Sequence, residues 1–171
     1  MTAAGVALTL ATRSAEETEA VGARLALCLP AARTRAVIVY LSGDLGAGKT
    51  TLARGFIRAC GYSGPVRSPT YTLLECHTAG TLTIVHLDLY RLRGPSELEG
   101  LGLRDLLLPA HVWLIEWPER GAGRLPESDL RVSLSVEANR HLIEAIPGSE
   151  LGRQWLAGIA RASGGPPGLT P

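Results

Sequence analysis

A chain of 171 residues, 46% of them hydrophobic, is long enough for one domain with a buried core of its own. Its net charge of +1 gives no overall electrostatic pull toward nucleic acid or an anionic membrane, and no apolar run approaches the ~20 residues of a membrane-spanning helix. Cys28, Cys60 and Cys76 are scattered, odd in number and without a Cys-x-x-Cys, and they read as small hydrophobes in a reducing cytosol. His77, His86, His111 and His141 show no metal-ligand spacing. The first residues lack a basic stretch followed by an apolar one, and Glu16, Glu17 and Glu19 argue against a transit peptide, so a cytoplasmic protein is expected.

In chain order, Val6 to Ala11 reads as a strand. Ser14-Ala15-Glu16-Glu17 fits a capping box that opens a helix to about Leu29, where Pro30 stops it. Arg35 to Leu41 is apolar and β-branched, the pattern of a buried strand. Thr50 to Cys60 reads as a helix with Leu52, Phe56, Ile57 and Cys60 on one side, ended by Gly61. Tyr71 to His77 and Leu82 to Tyr90 are strand-like around a turn at Thr78-Ala79-Gly80. Pro95 starts a helix through about Leu107, with Glu97 and Glu99 early in it. Val112 to Glu116 is a short buried strand. Leu130 to Val136 and His141 to Ile146 alternate as a hairpin around Glu137-Ala138-Asn139-Arg140. Glu150 to Ala162 is a short helix, and Ser163 to Pro171 is a Gly/Pro-rich tail expected to be disordered. These elements predict an α/β protein, a three-layer sandwich of the P-loop NTPase type on a mixed parallel and antiparallel sheet. Residues 1–150 form its single domain, followed by a helix and tail over 151–171.

The chain has one lysine, Lys49, against sixteen arginines. Codon bias accounts for the arginines but not for the exception. Lys49 lies in Gly43-Asp44-Leu45-Gly46-Ala47-Gly48-Lys49-Thr50, which fits G-x-x-x-x-G-K-[ST], the Walker A phosphate-binding loop. A compact ammonium on a flexible stem reaches phosphate oxygens in a way that a planar guanidinium does not. The loop falls between an expected strand and an expected helix, as the chemistry requires. Glycines turn the backbone so that N–H groups point inward, and the helix start adds partial positive charge. Lys49 would reach the β/γ-phosphates and the Thr50 hydroxyl would ligate Mg2+.

Such a loop needs a carboxylate on a neighbouring strand end and a group that positions the attacking nucleophile. Asp88 ends the run Thr83 to Asp88, and Glu116 ends Val112 to Glu116. Ligands gather at strand carboxyl ends in open α/β sheets, so both qualify, with a surface carboxylate or a helix cap as the alternative for either. Thr70, in Ser68-Pro69-Thr70-Tyr71, is either a switch-type threonine on the metal or a turn residue before a strand.

Gly43 to Thr51, Ser68-Pro69-Thr70-Tyr71, His86-Leu87-Asp88-Leu89-Tyr90-Arg91 and Glu116-Trp117-Pro118-Glu119 occur in that order. Together they resemble the TsaE family, the bacterial ATPases required for threonylcarbamoyladenosine modification of tRNA, over roughly residues 6 to 146. The resemblance implies that Gly43 and Gly46 to Thr51, with Ala47, Gly48, Lys49 and Thr50 among them, bind the phosphates of ATP. It implies that Thr50 and Glu116 coordinate Mg2+, and that Asp88 is a second acidic group turned toward the metal or the attacking water. Lys49, Asp88 and Glu116 are then the catalytic set. Thr70 and its segment would sense the γ-phosphate or dock a partner. Trp117 would lie near the nucleotide, unless it is an ordinary core or surface tryptophan. Ser14, Ala15 and Arg140 would touch the nucleotide. The family does not transfer the threonylcarbamoyl group itself. By resemblance it works with TsaD and TsaB, which act on adenosine 37 of tRNAs reading codons that begin with A, so tRNA is met only through that complex. ATP would drive a cycle of partner binding and release.

Other chemistries use the same loop. A small-molecule kinase needs a lid and an acceptor pocket, and Arg91, Arg93 and Arg104 mark no obvious lid segment. A GTPase needs a guanine-reading Asn-Lys-x-Asp, whereas the single asparagine, Asn139, is followed by Arg140. A pure binding module has no use for Lys49, Thr50, Asp88 and Glu116 together.

Overall fold

The structure is a computed structural model that describes residues 7–31 and 33–162. The elements are β1 (Leu8–Thr12), α1 (Ala15–Leu27), β2 (Val37–Ser42), α2 (Lys49–Ala59), β3 (Leu74–Ala79), β4 (Leu82–Asp88), α3 (Pro95–Glu99), β5 (His111–Glu116), β6 (Leu130–Glu137), β7 (Arg140–Pro147) and α4 (Glu150–Ala162). Single 3-10 turns occupy Leu103–Leu106 and Pro118–Gly121. Seven strands form one sheet in the order β1-β7-β6-β2-β5-β4-β3. The inner strands β6, β2, β5 and β4 run parallel, while β3 and the β6–β7–β1 edge pair antiparallel. The fold is the expected α/β sandwich on a mixed sheet.

Strands β2, β4 and β5 are buried along most of their length because both faces are covered. Val37, Val39 and Leu41 of β2 face a core shared with Leu52, Phe56 and Ile57 of α2 and Leu25 of α1. Ile38, Val85, Leu87, Trp113 and Ile115 face the opposite core, under Leu98 and the partly buried Leu103 and Leu106. On β6, buried Leu130, Val132 and Leu134 alternate with exposed positions, as suits a strand near an edge. The last helix belongs to the first core: Trp155 and Ile159 are fully buried, and Trp155 Nε1 donates to the Leu25 carbonyl at 2.9 Å. Residues 163–171, expected to be a disordered tail, lie outside the described residues. Among the described residues no helix is long and apolar enough to cross a membrane.

Ser14 caps α1 as expected, its hydroxyl accepting from Glu17 N–H at 3.1 Å, while the Glu17 carboxylate reaches back to Arg13 N–H at 2.7 Å. Two expectations need correction. The helix expected from Pro95 to about Leu107 is five residues long, ending at Glu99, and resumes only as the 3-10 turn 103–106. Gly100 and Gly102 break it, the latter with φ +63. The strand expected from Tyr71 starts at Leu74. Ser68 and Thr70 spend their hydroxyls on Asp88 and hold the preceding segment out of the sheet.

Asp129 pins the far end of the sheet. Its carboxylate is fully buried and accepts from Arg35 at 2.6 and 2.9 Å, from Ile38 N–H at 3.0 Å and from Ser149 Oγ at 2.5 Å. Burial pushes its pKa up, but the Arg35, Ser149 and Ile38 hydrogen bonds outweigh burial and leave it below its ordinary 3.8. A depressed carboxylate pKa contributes stability above the unfolded value, and that stability fades as pH falls through the folded value. Asp129→Asn is therefore expected to cost about 3 kcal/mol at pH 7, the low end for breaking a buried pair because Arg35 is half solvated. Melting curves of both proteins across pH should show this gap constant above about pH 5 and shrinking as pH falls through 3.8 and below.

Candidate functional site

The site forms where three parallel strands end in one row. Leu41 of β2 pairs with Glu116 of β5, and Glu116 pairs with Asp88 of β4. Side chains alternate along a strand, so Asp88 and Glu116 both face α2, the side their buried neighbours Ile84 and Leu114 share. The glycine loop leaves β2 at Ser42 and enters α2 at Lys49. Gly43 has φ +139 and passes so close to β6 that a Cβ there would stand 2.2 Å from the Leu134 carbonyl oxygen. Gly46 has φ +81 and opens onto free space. The first N–H groups of α2 have no carbonyl within the helix to bond, so they remain available to a ligand.

Lys49 is 4% exposed. Its Nζ donates to the Gly43 and Asp44 carbonyls at 2.6 and 2.8 Å and lies 4.1 Å from the centre of the Trp117 ring. Burial pushes its pKa below 10.5, while the charges of Glu116, Asp88, Glu119 and Asp44 pull it back up. The Thr50 hydroxyl donates to both Glu116 oxygens at 2.9 Å. His86 Nε2 donates to Glu116 Oε1 at 2.8 Å. Asp88 Oδ2 accepts from Thr70 Oγ1 at 2.8 Å and from the Ser68 hydroxyl, and Oδ1 accepts from Tyr90 N–H at 2.9 Å.

Trp117 is held at φ +57, ψ +49, a left-handed conformation that costs a non-glycine residue about 1–2 kcal/mol. Its N–H bonds the Leu41 carbonyl at 3.2 Å, which ties β5 to the end of β2, and its ring packs 5.0 Å from Tyr90. The strain thus sits where the ring covers the lysine.

A cavity of about 240 Å³ opens between the loop, the 68–70 segment and these strand ends. Gly46, Gly48, Lys49, Thr50, Thr51, Thr70, Asp88, Glu116 and Trp117 all line it. Ala47 and Gly43 stand behind it. Ala47 is buried and its carbonyl accepts from His141 Nδ1 at 2.9 Å, whereas Gly43 offers its carbonyl to Lys49. Ser14 and Ala15 begin α1, outside this lining, and Arg140 pairs with Glu137 at 3.6 Å beside a separate hollow of about 250 Å³. Sequence reasoning did not single out His86, His141 or the Ser68 contact. His86 had one legible signal, its place two residues before Asp88 on the same strand face. A larger hollow of about 490 Å³ lies by α3 and the 103–106 turn, where Arg124 is already paired with Glu99.

The donors suit a small hard cation. A hydroxyl and a carboxylate already within hydrogen-bond distance are oxygen ligands of the kind Mg2+ takes, and the glycine loop beside them is shaped for phosphate. Fold and site together define a P-loop protein of the α/β class, with its nucleotide-type site at the carboxyl ends of parallel strands. Residues 12–142 match the family model described as Threonylcarbamoyl adenosine biosynthesis protein TsaE, and the chain belongs to that family. It is 45% identical over 126 residues to the tRNA threonylcarbamoyladenosine biosynthesis protein TsaE of Haemophilus influenzae, covering 74% of this chain and 80% of that one. It is 41% identical over 128 residues to the protein of the same name from Mycobacterium tuberculosis, covering 70% and 73%. The crystal structure of Bacillus subtilis YdiB superimposes with a TM-score of 0.74 at 25% identity, covering 92% of this chain and 97% of that one.

Proposed function

We propose that this protein is an Mg2+-dependent ATPase required for threonylcarbamoyl modification of adenosine 37 in tRNAs reading codons that begin with A, acting by an ATP-driven cycle on a TsaD–TsaB complex in the cytoplasm. The observation that carries the catalytic part is the Thr50–Glu116 contact beside Lys49, a hydroxyl, a carboxylate and an ammonium gathered at the mouth of a glycine loop. A Mg2+ ion held there would supply positive charge to offset that of the phosphates. The chain does the rest. Lys49 and the N–H groups from Gly46 to Thr51 hold the phosphates, while Thr50 and Glu116 hold the cation. Asp88 serves as the second acidic group, toward the metal or the attacking water.

The link to partners runs through the 68–71 segment. Thr70 is tied to Asp88 inside the cavity, and the next residue, Tyr71, is 83% exposed. A change at Thr70 is therefore passed directly to the surface, which is what a nucleotide-dependent docking patch requires. Membership of the family supports the pathway.

Glu116→Ala tests the site. It should lower Mg2+-dependent turnover about 100-fold while changing the affinity for metal-free ATP less than threefold, the signature of a group that acts on the transition state. Steady-state kinetics and calorimetry on the same samples separate the two. Equal losses in both would make Glu116 a structural residue.

A further inference from the structure

His86 stands next to Glu116 without a task in the reading above. It is fully buried, and its Nε2 lies 2.8 Å from Glu116 Oε1. Among the described residues its Nδ1 has no hydrogen-bond partner, so its hydrogen bond there is the one to Glu116. A carboxylate only accepts, so the ring hydrogen sits on Nε2. The ring is wedged from behind: its centre is 6.1 Å from that of His77, which meets Tyr62 edge-on at 4.7 Å. His77 is itself fully buried; among the described residues neither of its nitrogens is hydrogen-bonded, its Nε2 lies 4.0 Å from Glu75 Oε2, and burial pushes its pKa down while the Glu75 charge pulls it up.

The need for such a partner follows from Thr50. Glu116 is 2% exposed, and a buried carboxylate requires donors. Among the described residues its side-chain donors are Thr50 and His86. The Thr50 hydroxyl has one hydrogen. If its oxygen turns a lone pair to a cation, that single hydrogen can serve at most one of the two carboxylate oxygens and does not by itself fix which of them faces the cation. His86 then remains to stop Glu116 from rotating about its last, soft torsion. From this geometry we infer that His86 is a positioning residue that holds Glu116 Oε1 and aims the carboxylate at the cation. The inference rests on Glu116 being a cation ligand. Partners of this kind are worth about 10- to 100-fold in metal affinity at other sites.

The test uses Mn2+ as a paramagnetic probe. Its affinity for the ADP-loaded protein is read by electron paramagnetic resonance in wild type, His86→Leu, His86→Gln and Glu116→Ala, alongside thermal melts. His86→Leu keeps bulk but loses the donor, and should weaken Mn2+ about 10-fold. His86→Gln puts an amide N–H within reach of Oε1 and should recover most of that loss, with a melting temperature close to that of His86→Leu. Should His86→Leu fail to fold, His86→Asn, whose amide stops short of Glu116, replaces it. Wild-type Mn2+ affinity in His86→Leu, with Glu116→Ala weakened, would overturn the inference alone. Equal weakening in His86→Leu and His86→Gln would also overturn it. Unchanged affinity in Glu116→Ala would instead remove the cation-ligand reading on which it stands.

Discussion

Lys49→Ala is expected to weaken ATP binding at least 100-fold, a loss of about 3 kcal/mol, while leaving the melting temperature within a few degrees of wild type. The binding loss follows from charge in a sheltered place. The Lys49 ammonium is almost wholly buried at the loop mouth, backed by the Trp117 ring and fixed by two loop carbonyls. Removing one member of a buried charge pair typically costs 2–5 kcal/mol. The fold should survive because its own account with this residue is unfavourable. Burial holds the lysine below its ordinary pKa, so the charged form is disfavoured by folding, and alanine removes that penalty. Lys49→Arg should not rescue binding, since a planar fork cannot occupy the space of a point charge. Calorimetric titration with ATP and a melt followed by circular dichroism check both halves. A variant that binds normally, or that unfolds, contradicts the expectation.

The second large effect is on stability. Helices α1 and α2 touch backbone to backbone at two glycines. A Cβ on Gly22 would stand 2.0 Å from the Leu52 carbonyl oxygen, and one on Gly55 would stand 2.0 Å from that of Glu19. Neither neighbour is a flexible side-chain end, so the helices themselves must separate. Arg54 and Arg58 of α2 both pair with Glu19 of α1, at 3.0 and 3.1 Å, and would be pulled apart with them. Gly55→Ala is expected to cost about 3 kcal/mol, the upper part of the range for overpacking, and to lower the melting temperature by about 6–12 °C. Because α2 carries Lys49 and Thr50 at its start, the same variant should also weaken ATP binding. Unfolding by heat and by urea measures the first effect. A change of less than 1 kcal/mol would mean that the helix pair relaxes freely.

Much of the site was legible in the sequence because it is contiguous. Gly43 to Thr51 runs from the residue after β2 through a loop into the start of α2, and local patterning places all of it. Asp88 and Glu116 were visible as charges that close apolar runs. That they sit directly opposite one another was not, since it depends on β4 and β5 pairing in parallel. His86 and His141 escaped notice for the same reason. Their partners are 30 and 94 residues away; the spacing of His86 from Asp88 places it on the same strand face but does not reveal the carboxylate it bonds, and nothing local marks the loop carbonyl that His141 bonds. The helix expected over 95–107 shows the opposite failure. Pro95 and its early glutamates are sound start signals, but Gly100 and Gly102 outweigh the apolar spacing beyond them. In α4 the boundaries were readable from pattern, while the burial of Trp155 against Leu25, 130 residues away, was not.

The rate of ATP hydrolysis by the purified protein, alone and with TsaD and TsaB and with Lys49→Ala as the blank, distinguishes a partner-coupled cycle from other uses of the loop. A partner-coupled ATPase turns over slowly alone, speeds up when the partners are added, and is silent in the variant. Turnover indifferent to the partners would contradict the account and point to a small-molecule kinase built on the same loop.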